Sequence, residues 1–247
     1  GLLALRDGNI DEAETRIMSA AAASPQQAIL HKRVADFHLA KKNYPRALAA
    51  IDRAIALEPD TVMFTAFRGY ISAQSGDHAA AAESFGRVLD TRDGRNPPQI
   101  ASLYFMAADA LQHSGQPEQA AQNFARGLDL APMDWKRQVA LAELEMELGH
   151  LDQATTRMQW TLQWADERPP VVRTLSELLI LQDRTEDALQ VIENALHRYP
   201  DKVQFQRLHA KLDKTIKKVK EKAARQLKNK QRKEKKNKKQ IRKLRKD

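Results

Sequence analysis

The chain has 247 residues, 42% hydrophobic and only 6% aromatic, with 30% charged residues and a formal net charge of +9. Cysteine is absent, which excludes disulfides, thiolate metal sites and cysteine nucleophiles. No apolar run approaches the roughly 18 residues needed to span a bilayer, and no signal peptide is visible.

Read from the first residue onward, the chain repeats itself. Ala13, Ala47, Ala81, Ala120, Ala154 and Ala188 follow one another at intervals of 34, 34, 39, 34 and 34 residues. A large apolar residue stands four positions after each: Ile17, Ile51, Phe85, Phe124, Met158 and Ile192. Three further on come mostly small residues, Ala20, Ala54, Val88, Gly127, Thr161 and Ala195. Twelve positions before each alanine the residue is again small: Gly1, Ala35, Gly69, Ala108, Ala142 and Ser176. Five before it, Gly8, Gly76, Gly115 and Gly149 fall where a turn is needed. Twelve after it stand Pro25, Pro59, Pro132 and Pro200. Small residues let two helices approach closely and the large apolar residue fills the gap between them. Glycine tolerates the positive φ that ends a helix, and proline can open or stop one without losing a needed N–H.

This beat divides the chain. Residues 1–27 are a unit lacking its first seven positions. Full units are expected at 28–61, 62–95, 101–134, 135–168 and 169–202. The longer interval reflects a five-residue insertion near Asp93–Gln99, "DGRNPPQ", expected as a loop from its Asn, Gly and paired Pro. An array does not naturally begin in mid-helix, so Gly1 is expected to be a truncation point. After Lys202 the beat stops. Leu208, Leu212, Ile216, Val219, Ala223 and Leu227 continue at steps of three and four, predicting a helix over 203–227 that caps the last unit. Residues 211–247 hold nineteen Lys or Arg against four acids, leaving 22 basic and 28 acidic side chains elsewhere. The basic character is therefore confined to one end, and 228–247 reads as a polybasic helical or disordered tail.

The six matched phases, and above all "YPRALAAIDRAIALEPD" (Tyr44–Asp60), resemble the tetratricopeptide repeat (TPR) family over residues 1–202. The resemblance implies an all-α fold: a right-handed superhelical solenoid of stacked helix–turn–helix repeats, here with a long basic C-terminal helix. It also implies a concave groove lined by the first helix of each repeat. Early aromatic positions of the family are His31, Thr65, Gln138 and Val172 here, with Tyr104 the aromatic one, so looser packing is expected there.

By family phase the groove-facing residues are Lys32, Asp36, Met63, Ala66, Tyr70, Phe105, Asp109, Gln112, Lys136, Glu143, Arg173 and Glu177. They form a mixed surface with two aromatic anchors, Tyr70 and Phe105, suited to an extended peptide or a helix. Some family members clamp a terminal carboxylate with Lys and Asn. Lys32 matches that lysine, but Asp36 replaces the asparagine and Glu177 follows Arg173, so acids would repel the carboxylate and the clamp is rejected. His31 and His38 lie two turns apart on one face and are expected to fill packing positions rather than bind a metal. Trp135, Trp160 and Trp164 fall in one repeat, where helix–helix packing is favoured over ligand stacking. No phosphate-binding loop, dinucleotide fingerprint, metalloprotease or nucleophile-elbow motif occurs. Acid pairs such as Glu143 and Glu147 are ordinary for a charged helix face. No cofactor, metal or small-molecule substrate is expected.

The tail carries twelve cations: Lys228, Lys230, Arg232, Lys233, Lys235, Lys236, Lys238, Lys239, Arg242, Lys243, Arg245 and Lys246. They suit nucleic-acid phosphates, including ribosomal RNA, an anionic membrane leaflet, or simple solvation and an acidic protein. No aromatic supports base stacking, and no continuous apolar face supports insertion, so the alternatives stay open. The function expected is a non-catalytic scaffold or adaptor that holds a protein or peptide in its groove. The tail would localise it to RNA, the ribosome or a membrane, in a cytoplasmic setting or peripherally at the membrane. The alternative is the C-terminal docking part of a larger enzyme, such as a bacterial envelope-polysaccharide glycosyltransferase.

Overall fold

The computed structural model describes residues 10–91, 97–214, 216–218 and 221. Every regular element among them is a helix: α1 Ile10–Ala23, α2 Ala28–Ala40, α3 Tyr44–Leu57, α4 Val62–Ser75, α5 His78–Asp90, α6 Pro97–His113, α7 Pro117–Leu130, α8 Trp135–Glu147, α9 Leu151–Ala165, α10 Pro169–Leu181 and α11 Thr185–Arg198. A last helix, α12, covers residues 203–214. Two compact units divide the chain, residues 1–137 and 138–247. In each, a first and a second helix pair within one 34-residue span.

The seams inside each pair follow from the repeated residues. Ala47, Ala81, Ala120, Ala154 and Ala188 have no exposed surface. Their large partners Ile51, Phe85, Phe124, Met158 and Ile192 are at most 1% exposed. Burying such a side chain stabilises by roughly 1.5–3 kcal/mol, and the gain recurs with every repeat. A small residue on one helix of a pair admits a large one on the other. A Cβ at Gly69 would lie 2.9 Å from the Phe85 ring, and one at Gly127 only 2.4 Å from the Phe105 ring. The first repeat departs from the pattern, for Ala20 is exposed while Ile17 and Ala21 pack against Val34 and Phe37.

The turns between paired helices share one geometry. Gly76, Gly115 and Gly149 have φ of 87°, 79° and 80°. At the same phase Lys42 and Asp183 also have positive φ, 55° and 61°. Each turn closes the preceding helix with a backbone bond to the carbonyl five residues back: Asn43 to His38, Asp77 to Ser72, Gln116 to Leu111, His150 to Glu145 and Arg184 to Leu179, at 2.7–3.0 Å. This pairing satisfies carbonyls that the helix end leaves open.

One expectation needs correction. Of the predicted loop Asp93–Gln99, residues Pro97, Pro98 and Gln99 begin α6, which reaches 17 residues where α2 to α5 have 13 or 14. The first N–H groups of a helix have no intrahelical acceptor, so two prolines are tolerated there and their fixed φ favours the helix. Residues 93–96 lie outside the described residues.

In the second unit α12 lies over the last pair. Phe205, Leu208 and Leu212 join Val172, Ile192 and Ala195 in one buried cluster, and Ile216 is 3% exposed. Val219, Ala223, Leu227 and the tail 228–247 lie outside the described residues.

Candidate protein-binding faces

In the first unit, one face of α2 and α4 is rich in exposed apolar surface. Met63, Phe67 and Tyr70 stand at i, i+4 and i+7 of α4, which places them on one side of a helix. Met63 is 52% exposed and Tyr70 41%. The Phe67 and Tyr70 rings stack with centroids 6.3 Å apart. Lys32 of α2 reaches over Phe67, its Nζ 4.4 Å from the ring centroid. The same ammonium donates to both carboxylate oxygens of Asp36 at 2.9 Å. Ile29, three residues before Lys32, is 43% exposed. Ala66 is half-buried and Gln112 exposed.

Phe105 is not the exposed anchor the sequence suggests. It is 7% exposed, with its ring pressed against Gly127 and 6.4 Å from that of Phe124. The guanidinium of Arg137 covers it, 5.2 Å from the ring centroid. Arg137 is held there by Asp109, which accepts from Nη1 with both oxygens at 2.9 Å. A missing Cβ at Gly127 lets the ring sink, and a cation from the next repeat closes over it. Lys136 is exposed, with its Nζ 5.8 Å from the Trp135 ring.

The second unit carries an ion pair on the outward side of its first helices. Arg173 Nη2 donates to Glu143 Oε1 at 2.6 Å, both side chains being near two-fifths exposed. Glu177 is half-buried. Deeper in, Arg157 donates to both oxygens of Glu145, at 3.1 and 2.8 Å, and to Gln138 Oε1 at 3.0 Å. The Glu145 side chain is only 7% exposed. This network occupies the place where a family aromatic would stand: Gln138 is 4% exposed, and Thr65 and Val172 are buried likewise. The sequence shows Gln138, Glu145 and Arg157 but not that they meet.

The histidines and tryptophans separate by environment. His31 Nε2 donates to the Pro25 carbonyl at 2.9 Å. His38 is 7% exposed and edge-on to Phe37. Burial, followed by the nearby Arg46, holds its imidazole below the ordinary value of 6.5, with Lys41 adding to this and Glu14 opposing it. Trp160 meets Trp164 edge to face at 5.4 Å yet is 40% exposed, so helix packing accounts for only part of it. Among the described residues no group of three or more His, Cys, Asp or Glu could hold a metal ion. Among them, too, no helix is long and apolar enough to cross a membrane.

Ile29 and Phe67 escape the sequence reading, although their helical spacing to Lys32 and Met63 was a usable signal. The twelve tail cations lie outside the described residues.

Among curated proteins, none matches the chain. Solved structures match its fold. YrrB, titled a TPR protein with an unusual peptide-binding site, superposes with a TM-score of 0.62 at 20% identity, covering 79% of this chain and 97% of its own. A MamA protein gives 0.63 at 14% identity over 73% and 96%. Pseudomonas aeruginosa pilF gives 0.58 at 16% over 85% and 94%. At these identities the likeness concerns the fold. Sequence-family models described as tetratricopeptide repeat match residues 1–60 and 35–97, and a further one residues 101–133. Together they take in more than half of the chain, which belongs to the tetratricopeptide repeat family.

Proposed function

We propose that this protein is a non-catalytic scaffold that holds an extended or helical segment of another protein against the first helices of its repeats. Repeat arrays bury their seams and leave a surface free for a partner, and YrrB is described as binding a peptide. The observation that carries the reading is the stripe Met63–Phe67–Tyr70 on α4. Two of its members are about half-exposed, and Lys32 and Asp36 flank it with opposite charges. Apolar surface bordered by paired charge suits an amphipathic segment, with apolar anchors at its centre and polar contacts at its rim. In the first unit Lys32, Asp36, Asp109, Gln112 and Lys136 stand with Tyr70 on these first helices, and the second unit has its own set, Glu143, Arg173 and Glu177. Phe105 serves them as packing.

Peptide-library selection on the intact chain tests this. Selected peptides are expected to carry spaced apolar residues, and Met63→Ser/Tyr70→Ser is expected to weaken them by at least about tenfold. Equal binding by the double variant would remove the stripe from the reading.

The polybasic tail localises the scaffold to an anionic surface by charge, which raises the local concentration of the groove near its partner. Both RNA and an anionic leaflet remain as surfaces, since the support is the tail's charge in sequence. The intact chain and one ending at Leu227 should be compared on anionic vesicles and structured RNA at low and high salt. Tail-dependent binding that fades with salt is expected for the true surface. Identical behaviour of the two chains would end the proposal.

A further inference from the structure

Where α12 crosses the start of α10, the second unit has a cleft of about 330 Å³. Pro169, Pro170 and Arg173 form one wall, and Arg207, Leu208 and Lys211 form the other together with Gln204. We infer that this cleft binds an acidic peptide segment bearing one apolar anchor residue. The inference rests on the peptide-binding reading above and names a partner chemistry for the second unit.

Charge is the first argument. No acidic side chain lines the cleft. Arg173 pairs with Glu143, and α12 adds Arg207 and Lys211 to a lining that holds no acid. Arg207 and Lys211 are exposed, and Lys214 and Lys218 follow them at i+7 and i+11 from Arg207. At 100° per residue these four cations fall within about 60° of one another on the helix surface. Asp213, the acid of the described residues 203–218, falls on another side. Carboxylates spaced along a peptide would therefore meet a row of cations with no intervening repulsion.

The apolar wall is the second argument. Pro169 and Pro170 open α10 without N–H donors, so that rim offers hydrocarbon rather than hydrogen bonds. Leu208 is 8% exposed and anchored in the core beneath. An apolar side chain seated between the prolines and Leu208 would leave its neighbouring carboxylates beside Arg207 and Lys211. A nucleic-acid strand has the charge but lacks an apolar anchor, and no aromatic lines the cleft on which a base could stack.

The test uses the full chain and a fluorescein-labelled Glu-rich peptide with a single central Leu, read by fluorescence anisotropy. Arg207→Glu/Lys211→Glu is compared with Arg53→Glu/Arg126→Glu, which changes the net charge equally at exposed positions of α3 and α7. The cleft variant is expected to lose about tenfold in affinity, and the control variant less than about twofold. Replacing the peptide's Leu by Ser is expected to weaken it about fivefold. Equal losses in the two variants, or no loss on removing Leu, would show charge attraction without a cleft and overturn the inference. A single-stranded RNA of equal charge that depends on Arg207 and Lys211 more than the peptide does would also overturn it. Hydrogen exchange on the unaltered chain supplies a measurement independent of substitution: the peptide should protect amides of α10 and α12. Met63→Ser/Tyr70→Ser in the same assays separates the two proposals. Loss there with none in the cleft variant would leave the scaffold reading standing and remove this one.

Discussion

The two units fill the outward faces of their first helices differently. On α4 of the first unit, the outward positions hold Met63, Phe67 and Tyr70, whose apolar surface nothing among the described residues fully covers. On α8 and α10 of the second, the outward positions hold Glu143 and Arg173, which satisfy each other. Beneath the surface the same contrast holds. The first unit seats a ring by deleting a Cβ at Gly127, whereas the second buries the polar group Gln138–Arg157–Glu145. A repeat thus conserves its alanine seam as geometry and leaves the remaining positions to be filled by whichever chemistry closes locally.

Breaking the polar group should have the largest effect. Glu145→Ala leaves the Arg157 charge partly buried without its carboxylate, and a loss of about 3 kcal/mol is expected. Chemical denaturation measures it, and hydrogen exchange should place the loosening in α8 and α9. A change below about 0.5 kcal/mol would mean that water replaces the carboxylate at no cost. In the first unit, Gly127→Ala forces a methyl against the Phe105 ring. Overpacking outweighs the better helix propensity of Ala, and a net loss of about 2 kcal/mol is expected. The same substitution at Gly69 should cost less, since its Cβ would stand 2.9 Å from the ring rather than 2.4 Å.

The turns should behave alike in both units. Lys42 and Asp183 hold a left-handed backbone that disfavours side chains, so Lys42→Gly and Asp183→Gly should each stabilise by about 1 kcal/mol. A loss at either, seen as a lower melting temperature, would show that the side chain contributes more than the strain removes. The smallest effect concerns acid. The folded-state pKa of His38 lies below its unfolded value, so the unfolded chain binds the proton more readily. The resulting stability is complete above about pH 6.5 and is lost as pH falls from there through the folded pKa. His38→Leu should flatten that part of the curve of urea midpoint against pH. An unchanged slope would place the acid sensitivity elsewhere.

Much of the fold was legible because each repeat presents the same problem to its neighbour. Ala81 and Phe85 recur as Ala120 and Phe124, and the spacing alone says which pair must meet. The turn phase was legible at its glycines, whereas Lys42 and Asp183 take the same positive φ without one. The candidate faces were less so. Phe105 stands at the same phase as Lys32 and Arg173, and the sequence cannot show that Arg137, a full repeat later, lies across it. Pro97 and Pro98 signalled a loop but fit a helix start, because that signal is shared by both.

By itself the sequence determined that two-helix units would stack, since small residues at fixed intervals leave helices only one close way to meet. It also determined where the turns fall and that positive charge gathers at one end. Tertiary structure decided which outward residues remain available. Exposure depends on what the neighbouring repeat lays over a side chain, and that neighbour lies some thirty residues away in sequence, beyond the reach of local pattern.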